Sequence, residues 1–364
     1  MIKIAFTVTN DLTYDQRMQR ICTSLANEGY AVTLIGRKLQ NSVPINNVNF
    51  TTKRLTCWFN KGFLFYTEYN IRLFFYLLIH RFDCYAAIDL DTIIPNFFVS
   101  AIKRKKRLYD AHELFTEQKE IITRPLIHFI WLSIEKIFVP FFKQGYTVNT
   151  FIQQELKRRY RVDYAVIRNL PTKKNIDTSI TSNEKFIIYQ GAVNEGRCFE
   201  TLIPAMRYVD CKLMICGEGN FFEQTQQLIF RYNLQHKVIL KGYVNPAALK
   251  TLTPQALFGL TLFEKTGLNQ YYSLSNRFFD YIMAAIPQVC VGYPEYKAIN
   301  NTHEIALLID DTDEATLVNA LNTLLNNTPL YQLLKNNCKT AREILNWENE
   351  EKKLIALWTN FLGK

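Results

Sequence analysis

Short apolar runs alternate with longer amphipathic stretches along the whole chain. In the first half KIAFTV (3–8), YAVTLIGR (30–37), YAAIDLD (85–91), KRLYDAHE (106–113) and GYTVNT (145–150) read as strands. DQRMQRICTSLANEG (15–29), IRLFFYLLIHRF (71–82), PNFFVSAIK (95–103), PLIHFIWLSIEKIFVPFFK (125–143) and FIQQELKRRY (151–160) read as helices. The polar stretch 166–185, with its Pro, Asn, Thr and Ser, reads as an interdomain linker. The alternation then restarts, with strands at 186–191, 211–219, 238–244, 256–264 and 287–292. Helices are predicted at 198–209, 221–234, 246–255, 276–285 and 315–327, and over about the last 25 residues.

Such alternation predicts an α/β protein with parallel sheets covered by helices on both faces. The expected domains are 1–167 and 168–346, with an amphipathic closing helix at 347–364 packing back on the first. Ligands in such sheets bind beyond the carboxyl ends of the strands. The polar tips TND (9–11), DLD (89–91) and DAHE (110–113) fall at such ends.

Composition narrows the picture. A chain of 364 residues exceeds one ordinary core, and 48% apolar with 21% charged residues is typical of a soluble globular protein. The net charge of +10 lies in the front half: residues 1–170 hold 24 Lys and Arg against 14 Asp and Glu, and the remainder holds 19 of each. A basic half points to a polyanionic partner such as lipid headgroups, phosphorylated carriers or nucleic acid. KRKKR (103–107) is the densest basic run, and with the aromatic, Arg-bearing segments 62–82 and 125–143 it suggests contact with an anionic membrane surface. No nucleic-acid motif is recognisable and the run lacks interleaved aromatics, so nucleic acid is not expected. The apolar run LFFYLLI (73–79) falls well short of the roughly 20 residues of a membrane span. MIKIAFTVTN reads as a strand, not a signal peptide. None of the eight cysteines forms a CxxC pair or has a His at metal-ligand spacing, which predicts reduced core thiols.

Two stretches carry candidate chemistry. In FIIYQGAVNEGRCFETLIPAM (186–206) a strand is followed by Gly191, where backbone can approach a ligand closely, and by Arg197, whose guanidinium suits a phosphate. In YYSLSNRFFDYIMAAIPQVCVG (271–292) Ser-Asn-Arg opens a helix, where anions bind favourably. Asp280 follows Asn276 by one turn, placed to accept ribose hydroxyls. DLD could hold a metal, but its place in the front domain argues for polar cleft lining, and no metal site is expected.

These segments resemble GT-B glycosyltransferases of the retaining group called glycosyltransferase family 4. NDLTYDQRMQRICTSLANEGYAVTLIGR (10–37) resembles the family's opening, and RLYDAHELFTE (107–117) its "YDSHE" segment. YQGAVNEGRCFETLIPAM (189–206) resembles the donor-phosphate loop, and SLSNRFFDYIMAAIP (273–287) resembles "SLPNKLFEYMAAGLP". The resemblance implies two Rossmann-like domains facing each other across a cleft. It implies metal-independent, retaining transfer of a sugar from a nucleotide-diphosphate sugar, with no further cofactor, to a glycan or lipid-linked acceptor. Surface-polysaccharide synthesis at the inner face of the plasma membrane, from the cytoplasm, is the implied setting. No protein nucleophile is implied; the departing diphosphate oxygen would help deprotonate the acceptor.

Carried over, Arg197 and Arg277 would hold the donor diphosphate beside Gly191 and Asn276. Asp280 would bind the ribose, Glu218 would lie near the base, and His112 would face the transferred sugar. Asp15, Asp89, Asp91 and Glu113 would stand on the acceptor side. Four positions depart from the family's pattern. Tyr272 replaces the first of two glutamates, for which Glu264 is a candidate substitute. Cys198 and Ala285 replace glycines, and Ser275 replaces a proline. Two other readings remain open: a sugar-nucleotide 2-epimerase of the same architecture, and a non-catalytic protein binding nucleotide sugar or nucleic acid.

Overall fold

A computed structural model describes residues 1–13, 15–173 and 185–363. The chain divides into two compact units, Met1–Asn169 with Glu350–Lys364, and Leu170–Asn349. Part of the expected linker, 174–184, lies outside the described residues, while Ala165–Val166 is already sheet.

The first unit runs β1 (Lys3–Thr7), α1 (Gln16–Asn27), β2 (Ala31–Lys38), β3 (Thr51–Thr56), α2 (Gly62–Ile79), β4 (Cys84–Ile88), α3 (Ile93–Ile102), β5 (Lys106–Ala111), α4 (Lys119–Ile122), α5 (Pro125–Phe138), β6 (Gly145–Thr147), α6 (Thr150–Tyr160) and β7 (Ala165–Val166). Its strands pair in parallel in the order β3-β2-β1-β4-β5-β6-β7. Central β4 is buried at all five positions, as expected of a strand covered on both faces.

The second unit runs β8 (Phe186–Gln190), α7 (Phe199–Ala205), β9 (Lys212–Cys216), α8 (Phe222–Arg231), β10 (Val238–Gly242), α9 (Pro246–Leu252), β11 (Gly259–Thr261), α10 (Leu268–Tyr271), α11 (Asn276–Met283), β12 (Gln288–Val291), α12 (Pro294–His303), β13 (Ala306–Ile309), α13 (Glu314–Asn326) and α14 (Thr328–Ile344). Its parallel order is β10-β9-β8-β11-β12-β13. Both units are therefore Rossmann-like. In each, the strand order reverses beside the first strand, between β1 and β4 and between β8 and β11. The carboxyl ends of those strands are where such sheets bind ligands.

The last helix, α15 (Trp347–Leu362), contributes Trp358 to the first unit's core, fully buried with its ring edge-on to Phe6 at 5.3 Å. Several elements differ from expectation. The helix expected at 71–82 begins at Gly62 and ends at Ile79, and the one expected at 125–143 ends at Phe138 before a short 3-10 turn. The strand expected at 256–264 keeps only Gly259–Thr261. Residues 89–91 leave the strand predicted at 85–91 and form the turn into α3. No helix among the described residues is long and apolar enough to cross a membrane.

Candidate active site

In the second unit the site is built where β8 and β11 end. Gly191 follows β8 with φ +119°, and a Cβ there would stand 3.1 Å from an Arg277 Nη. The loop after it is stitched to the loop after β9: Gly191 N–H donates to Cys216 O, and Val193 N–H to Glu218 O. The two backbones touch so closely that a Cβ at Gly217 would lie 1.8 Å from Gly191 O.

Arg197 and Arg277 meet over one ring. Their guanidinium carbons stand 4.4 Å and 5.3 Å from the Phe263 centroid, and Arg277 also lies 4.2 Å over Tyr189. Arg277 is only 7% exposed, and neither its Nη1 nor Arg197 Nε has a hydrogen-bond partner. No carboxylate forms an ion pair with either among the described residues. Burial, and then the like charge of Arg277, push the Arg197 guanidinium below its ordinary range. Two adjacent cations, one buried and one half-buried, without a counter-ion are costly, and an anion bound between them would relieve that cost.

Around this pair stand the other expected residues. Asn276 is exposed in the first turn of α11. Asp280 Oδ2 accepts from the Gln190 side-chain amide at 3.1 Å, and Gln190 Oε1 in turn accepts from Thr253 Oγ1 at 2.7 Å. Glu218 is exposed after β9 and accepts from Tyr243 N–H at 3.2 Å. Glu264 lies beside the Arg197 loop, its N–H donating to Gly196 O, with a carboxylate oxygen 3.7 Å from where a Gly196 Cβ would stand. Tyr272, at the place of the missing glutamate, packs its ring 5.4 Å from Tyr271.

The two lost glycines turn out to be backbone positions. Cys198 has φ +61° and ψ +28° as the residue before α7, and Ala285 has φ +55°. At the end of α11, Ala285 N–H bonds Ile282 O and Ile286 N–H bonds Tyr281 O, the paired closure that favours glycine at the left-handed position.

The first unit assembles a carboxylate–imidazole cluster beyond β4 and β5. His112 Nε2 lies 3.0 Å from Asp110 Oδ2, and its Nδ1 lies 3.5 Å from Asp89 Oδ2. Asp110 is fully buried and also pairs with Arg17 at 3.1 Å, while Arg17 donates to Ile167 O. Burial alone would lower the imidazolium pKa. Asp110 and then Asp89 outweigh burial and raise it to about 9. Burial drives the Asp89 carboxyl up against the pull of His112, and it raises Asp91 to about 6.

Asp89 has φ +54° and ψ +176°, a conformation that strains a non-glycine residue by about 1–3 kcal/mol. It is held there because its N–H donates to Asp110 O and its Oδ1 accepts from His112 N–H, both at 2.9 Å. Asp91 accepts from Thr9 Oγ1 at 2.5 Å, and the turn carrying it is fixed by Asn96 and Thr92 bonding to Thr7. Glu113 accepts from Gln118 Nε2. Asp15 is not in the cluster: it caps α1, accepting from Met18 N–H, and takes a bond from Asn10.

Sequence reading missed Arg17, Asp110 and Gln190, which hold His112 and Asp280 in place. For Asp110 the signal was a charged residue near the end of an otherwise apolar stretch of strand, which needs a partner. In the basic run 103–107 Arg104, Lys105 and Lys106 are exposed, and four of the five side chains have partners. Lys103 caps α2 carbonyls, Lys105 pairs with Asp83, Lys106 bonds Phe361 O and Arg107 stacks on Phe97. No group of three His, Cys, Asp or Glu among the described residues is placed to hold a metal ion.

Residues 171–341 match the family described as glycosyl transferases group 1. The chain is 26% identical over 164 residues to the N-acetylgalactosamine-N,N'-diacetylbacillosaminyl-diphospho-undecaprenol 4-alpha-N-acetylgalactosaminyltransferase of Campylobacter jejuni. That alignment covers 44% of this chain and 43% of the relative, less than half of the relative's own length. Among solved structures it is similar to sucrose-phosphate synthase from Thermosynechococcus elongatus, with a TM-score of 0.81 at 16% identity over all of both chains. It is also similar to Anabaena HepE in complex with UDP-glucose, with a TM-score of 0.73 at 12% identity over 99% of this chain and all of the other. Residues 171–341 are thus a glycosyl transferases group 1 domain, in a chain that shares its fold with the GT-B glycosyltransferases.

Proposed function

We propose that the protein is a retaining, metal-independent glycosyltransferase that moves a sugar from a nucleotide-diphosphate sugar to a glycan or lipid-linked acceptor in surface-polysaccharide synthesis. The observation that carries this reading is the pairing of buried Arg277 with half-buried Arg197 at the end of β8, with no counter-ion among the described residues. A diphosphate supplies the missing charge. As the sugar–phosphate bond breaks, charge grows on the departing oxygen, and two fixed guanidiniums stabilise it without reorganising. Gln190 holds Asp280 toward a ribose, and Glu218 takes the base side. On the acceptor side, Asp110 above all keeps His112 protonated near neutrality and takes its Nε2–H, so Nδ1–H is the donor left for a sugar oxygen. The Campylobacter relative's name gives it a diphospho-undecaprenol acceptor, and the HepE structure holds UDP-glucose; both support the reading.

Peripheral contact with an anionic membrane, from the cytoplasmic side, belongs to the same reading. Leu126 and Phe129 on α5 are exposed, and Lys136 of the same helix, with Lys143 and Arg161, lines a cavity of about 720 Å³.

The test is the anomeric configuration of the product, followed by NMR with and without a chelator. Retention with unchanged rate is expected. Inversion or loss of activity on chelation contradicts the mechanism, and free epimerised sugar nucleotide formed without acceptor favours the epimerase instead.

A further inference from the structure

A cavity of about 830 Å³ in the first unit lies between α2, α3 and α5. Its wall is mostly apolar, with Phe75 from α2, Ile94 from α3 and Ile127, Ile130 and Trp131 from α5. Phe63, Ile71 and Phe75 of α2 are more than half exposed although they line it, so a contiguous apolar surface stands open to water. The volume falls in the range of roughly 300–1,000 Å³ common to pockets that bury a small ligand.

Two polar features interrupt that wall. Asp89, Asp91 and Glu113 enter the cavity, and Asp89 is the carboxylate that touches His112. The cavity therefore reaches the carboxylate that faces His112. Arg124, at the start of α5, also lines it, and its side chain has no ion-pair or hydrogen-bond partner among the described residues. A soluble polysaccharide would leave the apolar wall unfilled. A plain hydrocarbon would leave the carboxylates and the arginine unused.

We propose that this cavity binds the acceptor, and that the acceptor is an amphiphile: a hydroxyl-bearing sugar joined through a phosphate to a long hydrocarbon chain. The sugar hydroxyls donate to Asp89, Asp91 and Glu113, the phosphate meets Arg124, and the chain lies between α2 and α5. This inference rests on the transferase reading and narrows its acceptor to the lipid-linked class.

The test uses the full chain carrying Trp58→Phe, which removes the exposed tryptophan of this unit, and a bromine-terminated dodecyl phosphate below its aggregation threshold. Bromine quenches indole fluorescence only at contact, and Trp131 lines the cavity. Saturable quenching is expected, abolished by Trp131→Phe. It should weaken about tenfold or more with Ile130→Glu or, independently, Ile127→Glu, since each places a charge in the apolar wall. Arg124→Ala should weaken the phosphate probe several-fold but not the corresponding bromo-alcohol, in keeping with the loss of one charged hydrogen bond. Unchanged melting temperatures show that the variants fold. Absence of saturable quenching, or quenching indifferent to both glutamate variants, overturns the proposal. Quenching seen only with vesicles of brominated phospholipid also overturns it and makes the groove a membrane-docking face. Nucleoside-diphosphate binding by the same samples separates the two readings: intact nucleotide binding without chain binding sinks only the acceptor assignment, whereas the reverse sinks the transferase reading.

Discussion

Raising the pH from 6.5 to 9 should destabilise the first unit through His112. Its folded-state pKa, about 9, lies above the ordinary 6.5, so the folded unit binds this proton more tightly than the unfolded chain does. Stability from such a group is fully present below 6.5 and is lost as pH rises through 9. The gap corresponds to about 3 kcal/mol. The side chain is about one-fifth exposed (22%), and solvent screening brings the expected loss toward about 2 kcal/mol. Asp89, also raised, acts in the same direction. Asp110, depressed below the ordinary carboxylate value, matters only under acid conditions outside this window. The assay is a proton NMR titration of the five histidines, with His112 assigned by its absence in His112→Gln. Urea unfolding at pH 6.5 and 9 follows, for wild type and variant. The wild type should lose stability over that interval and the variant should lose less, its remaining loss coming from Asp89. Titration of His112 at or below 6.5, or equal losses in both proteins, would refute the reasoning.

Other consequences follow from single contacts. Ala285→Gly should stabilise the second unit by about 1 kcal/mol, because relief of about 1–2 kcal/mol of left-handed strain exceeds the added flexibility of the unfolded chain; Trp347 fluorescence in urea reads it. Asp110→Asn removes the charge partner of buried Arg17 and should cost about 3–5 kcal/mol while dropping the His112 pKa, measurable by urea unfolding and the same titration. Trp358→Ala should destabilise the first unit by about 3–5 kcal/mol, seen as a lower urea midpoint, since the ring is fully buried against Phe6.

The fold was legible in the sequence wherever a strand was buried on both faces, because CYAAI and FIIYQ are unbroken apolar runs bounded by polar turns. Edge strands were not. β3, TTKRLT, pairs only with β2 and is mostly polar, so its pattern resembles a loop. β7 is two residues long. The start of α2 was hidden because GFLFYTEYN is aromatic around much of the helix, and the wall of the cavity lies there. In ALFGLTLFE the apolar run outlasts the strand: Leu262 and Phe263 stay buried after the pairing stops, and Phe263 is the ring that carries both arginines. The candidate site residues could be named from local motifs. Those that hold them could not, since Arg17 and Asp110 are 93 positions apart and Gln190 and Asp280 are 90 apart.

The central claim is that Arg197 and Arg277 await a diphosphate. Calorimetric titration of wild type and Arg197→Ala with a panel of nucleoside diphosphates tests it most directly. One diphosphate should bind the wild type, and the variant should bind it more weakly by about tenfold or more, as the loss of a charge-assisted hydrogen bond of about 1.5–3 kcal/mol requires. No binding by the wild type, or equal binding by both proteins, would contradict the account.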